Sequence, residues 1–277
     1  MRRQTRTVLL GAFAAAAFTA LGAVGWVALT PTPAQTAEDR MPTPPEPPRL
    51  ANGPEFERCL LLLRSDPEAA RSFAETWGRE GGGEGARQCQ ALALLALGEP
   101  AAAAQRLETL ATQSAASGPA RAAVYAQATQ AWLMAGDANR AYGAATLALT
   151  LSPEDVDLLV DRAVTLGSLS RYNEAIEDLD RALALDPERA EALVFRAAAY
   201  RHQDQVELAA RDIERALAAD PSNAEARLER GIIRQLRGDA AGAREDWEHA
   251  IALSPNSATA DLAAQNLALN EAGPARR

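Results

Sequence analysis

The sequence predicts an all-α solenoid of antiparallel helix pairs, and three observations carry that prediction. Pro153, Pro187, Pro221 and Pro255 recur every 34 residues. Alanines keep the same register, twelve positions before each proline at Ala141, Ala175, Ala209 and Ala243, and five before at Ala148, Ala182, Ala216 and Ala250. Between them stand Ala145, Leu179, Ile213 and Trp247; further upstream come Trp132, Leu166, Tyr200 and Arg234, preceded by Thr129, Ala163, Ala197 and Gly231. Small side chains let two helices approach, and large ones fill the gaps between them. A unit of two helices cannot bury its apolar face alone, so neighbouring units must stack.

Composition sets the outer limits. The chain has 277 residues, 48% hydrophobic and 23% charged, which excludes a wholly disordered polymer. Its net charge is −9, and all 28 basic residues are arginine. An acidic balance argues against nucleic acid as a partner, because phosphate affinity comes from a surplus of cations.

The elements follow in order. Arg2, Arg3 and Arg6 precede an uncharged run from Thr7 to Thr30, so residues 1–34 read as an export signal or an N-terminal membrane anchor. Both readings stay open. The run is long enough to span a bilayer, yet Gly11, Gly22, Gly25 and many alanines dilute it, and Thr32-Pro33-Ala34 offers a fair cleavage site. Either way the bulk of the chain is expected outside a bacterial cytoplasm, soluble in the periplasm or held at the inner membrane. Residues 35–50 continue a proline-rich stretch that favours extended polyproline II conformation and serves as a spacer.

Residues 51–121 hold two degenerate repeats. Ala70, Ala74 and Trp77 stand in the first at the places that Ala103, Leu107 and Leu110 take in the second. A short insertion around Ser117-Gly118-Pro119 separates them from four regular repeats at 122–257. In these, Ser152, Asp186, Asp220 and Ser254 read as helix N-caps with proline at the first helical position. Residues 258–277 read as a capping helix and tail, Leu262, Leu267 and Leu269 being interspersed with Gln265, Asn266 and Asn270.

The small–large–small register and the closing proline resemble the tetratricopeptide-repeat family. Arg234 departs from the usual aromatic and Thr129 from the usual Gly or Ala, without breaking the packing logic. The resemblance implies a right-handed superhelix of about six repeats plus a C-terminal cap. It also implies a concave wall built by the first helix of each repeat, which binds a peptide or helix of another protein. Carried onto this chain, that wall holds Asp157, Asp161, Glu191, Phe195, Glu225 and Glu229, with Gln127, Gln130, Arg201, His202 and Gln235 on the same side. The Lys, Arg and Asn set with which some members clamp an acidic C-terminus is missing. A basic or neutral partner with an apolar anchor fits better, although acidic residues at this spacing also serve simply to solvate a helix face.

No other motif carries chemistry. Cys59 and Cys89, the two cysteines, fall on the first helices of adjacent repeats and are candidates for a disulfide in an oxidising compartment. His202 and His249 lack a metal-ligand spacing. Gly81-Gly82-Gly83-Glu84-Gly85 has no following Lys-Ser/Thr and reads as a flexible turn. Glu174, Glu177, Asp178 and Asp180, beside Arg171 and Arg181, read as a solvated face with local ion pairs. The expectation is therefore a non-catalytic interaction scaffold in the cell envelope, with no cofactor, no metal and no nucleic acid. An assembly chaperone or accessory subunit of an envelope complex is the nearest alternative, with a self-assembling array or an enzyme acting on an envelope polymer more distant.

Overall fold

The computed structural model describes residues 49–272. The export or anchor segment, the spacer up to residue 48 and the end of the tail lie outside the described residues. The helices are α1 (Pro54–Ser65), α2 (Pro67–Arg79), α3 (Gly83–Ala96), α4 (Pro100–Gln113), α5 (Gly118–Met134), α6 (Ala138–Leu151) and α7 (Val156–Ser168). They continue with α8 (Tyr172–Leu185), α9 (Ala190–His202), α10 (Val206–Ala219), α11 (Ala224–Leu236), α12 (Ala240–Leu253) and α13 (Ala258–Ala272). Among the described residues there is no strand. The helices pack as successive pairs, α1/α2 through α11/α12, with α13 single at the end. Odd-numbered helices also touch one another, α5 to α7, α7 to α9, α9 to α11 and α11 to α13, so they form one continuous layer.

Local chemistry explains where helices begin and turn. Asp66, Asp137, Asp155, Asn223 and Asp239 accept from first-turn backbone N–H groups of α2, α6, α7, α11 and α12, which have no partner inside the helix. Within the regular repeats each pair turns through one left-handed residue: Gly136, Ser170, Asp204 and Gly238, with φ of 78°, 59°, 59° and 83°. The next N–H in each case reaches back across the turn, as from Asp137 to the Trp132 carbonyl at 2.9 Å.

The recurring prolines do something other than expected. Ser152, Asp186, Asp220 and Ser254 end helices rather than start them, and the first three accept through their carbonyls from the N–H of Asp155, Arg189 and Asn223 at 3.2–3.3 Å. Pro153, Pro187 and Pro221 therefore occupy the second place of a four-residue turn, where their fixed φ is suited and no N–H is needed. The next helix begins three residues later. Two further corrections concern length and order. The insertion at Ser117-Gly118-Pro119 is absorbed as an extra turn of α5. The glycine run is not merely a flexible turn: a Cβ on Gly82 or Gly85 would stand 2.6 Å from the Trp77 indole, so these glycines seat that ring.

Packing across three of the four regular pairs sets a small residue against a large one. The facing positions carry Thr129 with Ala145, Ala163 with Leu179, Ala197 with Ile213, and Gly231 with Trp247, all buried. The smallest residue meets the largest. Thr129 keeps its hydroxyl satisfied by donating to the Tyr125 carbonyl at 3.0 Å. Trp247 donates from Nε1 to the Leu228 carbonyl at 3.2 Å, which pins the indole. A Cβ on Gly231 would stand 2.6 Å from Trp247 Cδ1. Gly231→Ala is therefore expected to cost ~2 kcal/mol, because overpacking outweighs the gain in helix propensity. Urea unfolding checks this, and Trp247→Leu in the same chain should restore most of the loss.

A second, charged ladder runs through the stack. Arg162 grips Asp178 through two hydrogen bonds of 2.7 and 2.6 Å, Arg196 grips Asp212 at 2.7 and 2.8 Å, and Arg230 grips Asp246 at 2.9 and 2.7 Å. The three carboxylates are buried. Asp178 thus does not belong to a solvated face, although Glu174, Glu177 and Asp180 on the same helix are exposed. Arg196 also reaches Asp180 of the preceding pair at 2.6 Å, so one guanidinium ties α8, α9 and α10. Arg234 stands where an aromatic is usual because it bonds Asp246 at 2.9 Å and the Gly242 carbonyl at 3.1 Å.

The main hydrophobic core runs from Ala91 to Ile233, with a small cluster at either end. At the N-terminal end Cys59 and Cys89 are joined by a disulfide with a Cα–Cα distance of 6.1 Å, buried beside Ala74, Phe73 and Trp77. At the other end α13 buries Ala260 and Ala263 and leaves Leu262 and Leu269 exposed, a less polar cap than its amides promise.

Candidate functional site

The odd-numbered layer presents a stripe of residues at helical spacing on α5, α7, α9 and α11. Near the N-terminal ends of α7, α9 and α11 it carries Asp157, Glu191 and Glu225, all in the first helical turn. The helix dipole favours carboxylates there, and that alone accounts for these three. Arg189, which the sequence reading missed, bonds both Asp157 and Glu191, the latter at 3.2 Å. Burial, and then Glu191, raise the Glu225 carboxyl above its ordinary range.

Asp161 is different. It lies one turn further along α7, past the reach of the dipole, and is partly buried. Burial lifts its pKa from 3.8 to about 6, a hydrogen bond from Gln130 opposes the rise, and Glu191, Asp157 and Asp155 add to it. Gln130 belongs to α5, so the contact joins neighbouring pairs. Gln127, also on α5, accepts through Oε1 from Gln88 Nε2 of α3 at 3.0 Å. Gln88 is only 5% exposed, was missed in the sequence, and extends the polar stripe one pair towards the N-terminus.

Two of the expected wall residues are not available to a partner. Glu229 is buried and held by both Nε and Nη2 of Arg201, so this acid and this cation neutralise each other. His202 is not simply solvated: its ring stacks on Tyr172 with centroids 4.6 Å apart, and burial together with Arg201 lowers its pKa, with Glu229 opposing. Phe195 is half-buried against the main core, and Gln235 lies exposed near the end of α11.

Towards the C-terminal ends of the same helices the stripe turns apolar. Val164, Ala198 and Ile232 are half-buried, and Met134 and Leu236 are 64% and 59% exposed. The wall therefore has an acidic edge and an apolar edge, with Asp161 and Phe195 near the boundary. Such a surface can accept an amphipathic segment with cations along one side. Among the described residues no group of three or more His, Cys, Asp or Glu side chains is arranged to hold a metal, and no helix is long and apolar enough to cross a membrane.

Comparison with known proteins bears on the fold. Tetratricopeptide-repeat family models match residues 156–189 and 197–268. No curated protein matches the sequence. Among solved structures, a tetratricopeptide-repeat protein from Parabacteroides merdae is 20% identical, with 69% of this chain and 75% of that one aligned and a TM-score of 0.55. A thermophilic tetratricopeptide-repeat protein from Thermus thermophilus is 18% identical, with 68% and 99% aligned and a TM-score of 0.56. At these identities the likeness concerns the fold. Paired helices, a period of 34 residues, the closing prolines and the family matches agree: residues 156–189 and 197–268 match tetratricopeptide repeats, and the described helices have the fold of a tetratricopeptide-repeat solenoid.

Proposed function

We propose that the stripe on α5, α7, α9 and α11 binds a basic, amphipathic segment of another protein, and that it does so outside the cytoplasm. Asp161 carries the reading. Nothing in helix energetics calls for a carboxylate at that place, and three further acids raise the cost of ionising it. A cation from a partner would relieve that cost, so binding and ionisation are linked. The preformed wall loses little ordering entropy on binding. The location outside the cytoplasm is supported by the basic and apolar N-terminal sequence and by the buried disulfide, since such bridges persist in oxidising compartments.

The sign of the pH dependence follows from the raised pKa. The folded state holds the Asp161 proton more tightly than the unfolded state, so its contribution to stability falls as pH rises from about 4 to about 6. Asp161→Asn keeps an acceptor for Gln130 and removes the ionisation cost. It should raise stability at pH 7.5 by ~2 kcal/mol, allowing for screening of a partly exposed group, and the gain should vanish below about pH 4. The same substitution should weaken binding of a fluorescent Arg/Leu-rich peptide, whose affinity for the unaltered chain should fall as pH drops through 6. Anisotropy titration tests this: a peptide that binds the variant equally well, or binds no better than its Glu/Leu counterpart, refutes the groove reading.

A further inference from the structure

The charged ladder has one member with its polarity reversed. Arg162, Arg196 and Arg230 each meet a buried aspartate 16 residues later, at 178, 212 and 246. The regular repeat at 122–155 has Ala128 and Ala144 at those places and carries no charge there. In the repeat formed by α3 and α4 the same two places hold Gln90 and Arg106, again 16 residues apart and again bonded, Arg106 Nη1 donating to Gln90 Oε1 at 3.3 Å. A cation thus stands where its counterparts supply a carboxylate, and its partner is a neutral amide. No described carboxylate lies within 4.0 Å of the Arg106 guanidinium.

The surroundings sharpen the imbalance. Arg87 occupies the place of Arg227, which in its own repeat approaches Asp246 at 3.5 Å alongside Arg230 and Arg234. Arg87 has no such aspartate. Its nearest acid, Glu84, is 4.0 Å away and takes the Ser114 hydroxyl on its other oxygen at 3.1 Å. Between α3 and α4 lies an open pocket of 410 Å³ lined by Arg87, Gln90, Gln105, Arg106, Thr109 and Gln113. Around Asp246 three arginines converge on a carboxylate within the chain; here two arginines and two further amides, those of Gln105 and Gln113, surround open space.

We propose that this pocket binds a carboxylate carried by an acidic peptide segment of a partner, which gives Arg106 the kind of acidic group that Arg162, Arg196 and Arg230 find within the chain. Arginine pairs with carboxylates through two parallel hydrogen bonds, so the guanidinium geometry suits this group better than a point cation would. The pocket lies between α3 and α4, apart from the acidic stripe, and does not depend on that stripe having a ligand.

Calorimetric titration of the full chain with acetyl-Gly-Glu-Glu-Gly-amide tests the assignment, with the Gln-Gln peptide and inorganic phosphate as comparisons. The acidic peptide should bind, and the affinity should fall roughly tenfold or more in Arg106→Gln, a change at an exposed residue whose circular dichroism spectrum should match that of the unaltered chain. Asp161→Asn should leave this binding unchanged, which separates it from the groove. Gln90→Arg with Arg106→Asp should install the pair seen in the other repeats, abolish peptide binding and raise the melting temperature. The assignment is overturned by equal binding of the Gln-Gln peptide, by undiminished binding in Arg106→Gln, by phosphate competing as well as the peptide, or by no heat at millimolar peptide.

Discussion

Asp212→Ala is expected to cost ~3–5 kcal/mol, the loss that follows when one member of a buried ion pair is removed. Asp212 is 5% exposed, and Arg196 donates to it from Nε at 2.7 Å and Nη2 at 2.8 Å. The hydrogen bond to Asp212 is the largest influence raising the Arg196 pKa, against burial, which lowers it. Without Asp212 the guanidinium keeps one ion-pair partner, Asp180, whose carboxylate is exposed, and the Tyr200 ring at 5.8 Å. A solenoid holds together through nearest-neighbour interfaces, so the damage should concentrate at the α8–α9–α10 junction and broaden the unfolding transition there. Replacing both partners by apolar residues of similar volume, Arg196→Met with Asp212→Leu, should recover most of the loss, because the pair's desolvation cost disappears with it. Urea unfolding decides the matter. A loss below ~1 kcal/mol in Asp212→Ala would mean that Arg196 swings out to water and that the ladder contributes little.

The contrast between Asp161 and Glu229 shows what was legible in the sequence. Both stand at the same place of their repeats, and spacing alone makes them equivalent groove acids. The structure separates them through a residue 28 positions earlier: Arg201 for Glu229, Leu133 for Asp161. One acid is neutralised and buried; the other keeps its charge cost. Register would have revealed this, but only after knowing which position of one pair faces which position of the next. The Arg–Asp ladder was equally periodic in the sequence, yet charge on an amphipathic helix reads as solvated until packing puts Asp178 inside. Ser-Pro and Asp-Pro were ambiguous for a different reason. The dipeptide suits both an N-cap with proline at the first helical place and the start of a turn, and the caps of the following helices, Asp155 and Asn223, decide between the two. Helix pairing was plain from the sequence, because alanine and leucine at fixed intervals admit few other solutions.

Reduction of the Cys59–Cys89 bridge is expected to unfold the N-terminal pair first and to cost ~3–4 kcal/mol by the loop-closure argument for a 30-residue separation. The ends of the stack explain why the effect should be so local. α1 buries only Phe56 and Cys59, and α2 only Ala70 and Ala74, whereas α5 buries eight residues. An apolar face that small does not hold two helices against their conformational entropy without help. The half-cystines close the gap by tying α1 to α3 across α2, with Trp77 seated on Gly82 and Gly85 beside them. Hydrogen exchange with and without reductant should therefore show protection lost over residues 54–79 while α7 to α12 stay protected, and Cys59→Ala with Cys89→Ala should reproduce the pattern. Uniform loss along the whole stack would mean that the solenoid melts as one unit; unchanged protection at the N-terminus would mean that packing alone suffices there. The same dependence bears on location. If the N-terminal pair needs its bridge, the α3/α4 pocket loses its α2 flank in a reducing compartment, where Gln90 would no longer lie against Gly78. Carboxylate binding would then fall with added reductant in the unaltered chain, and would be weak at the outset in the double alanine variant.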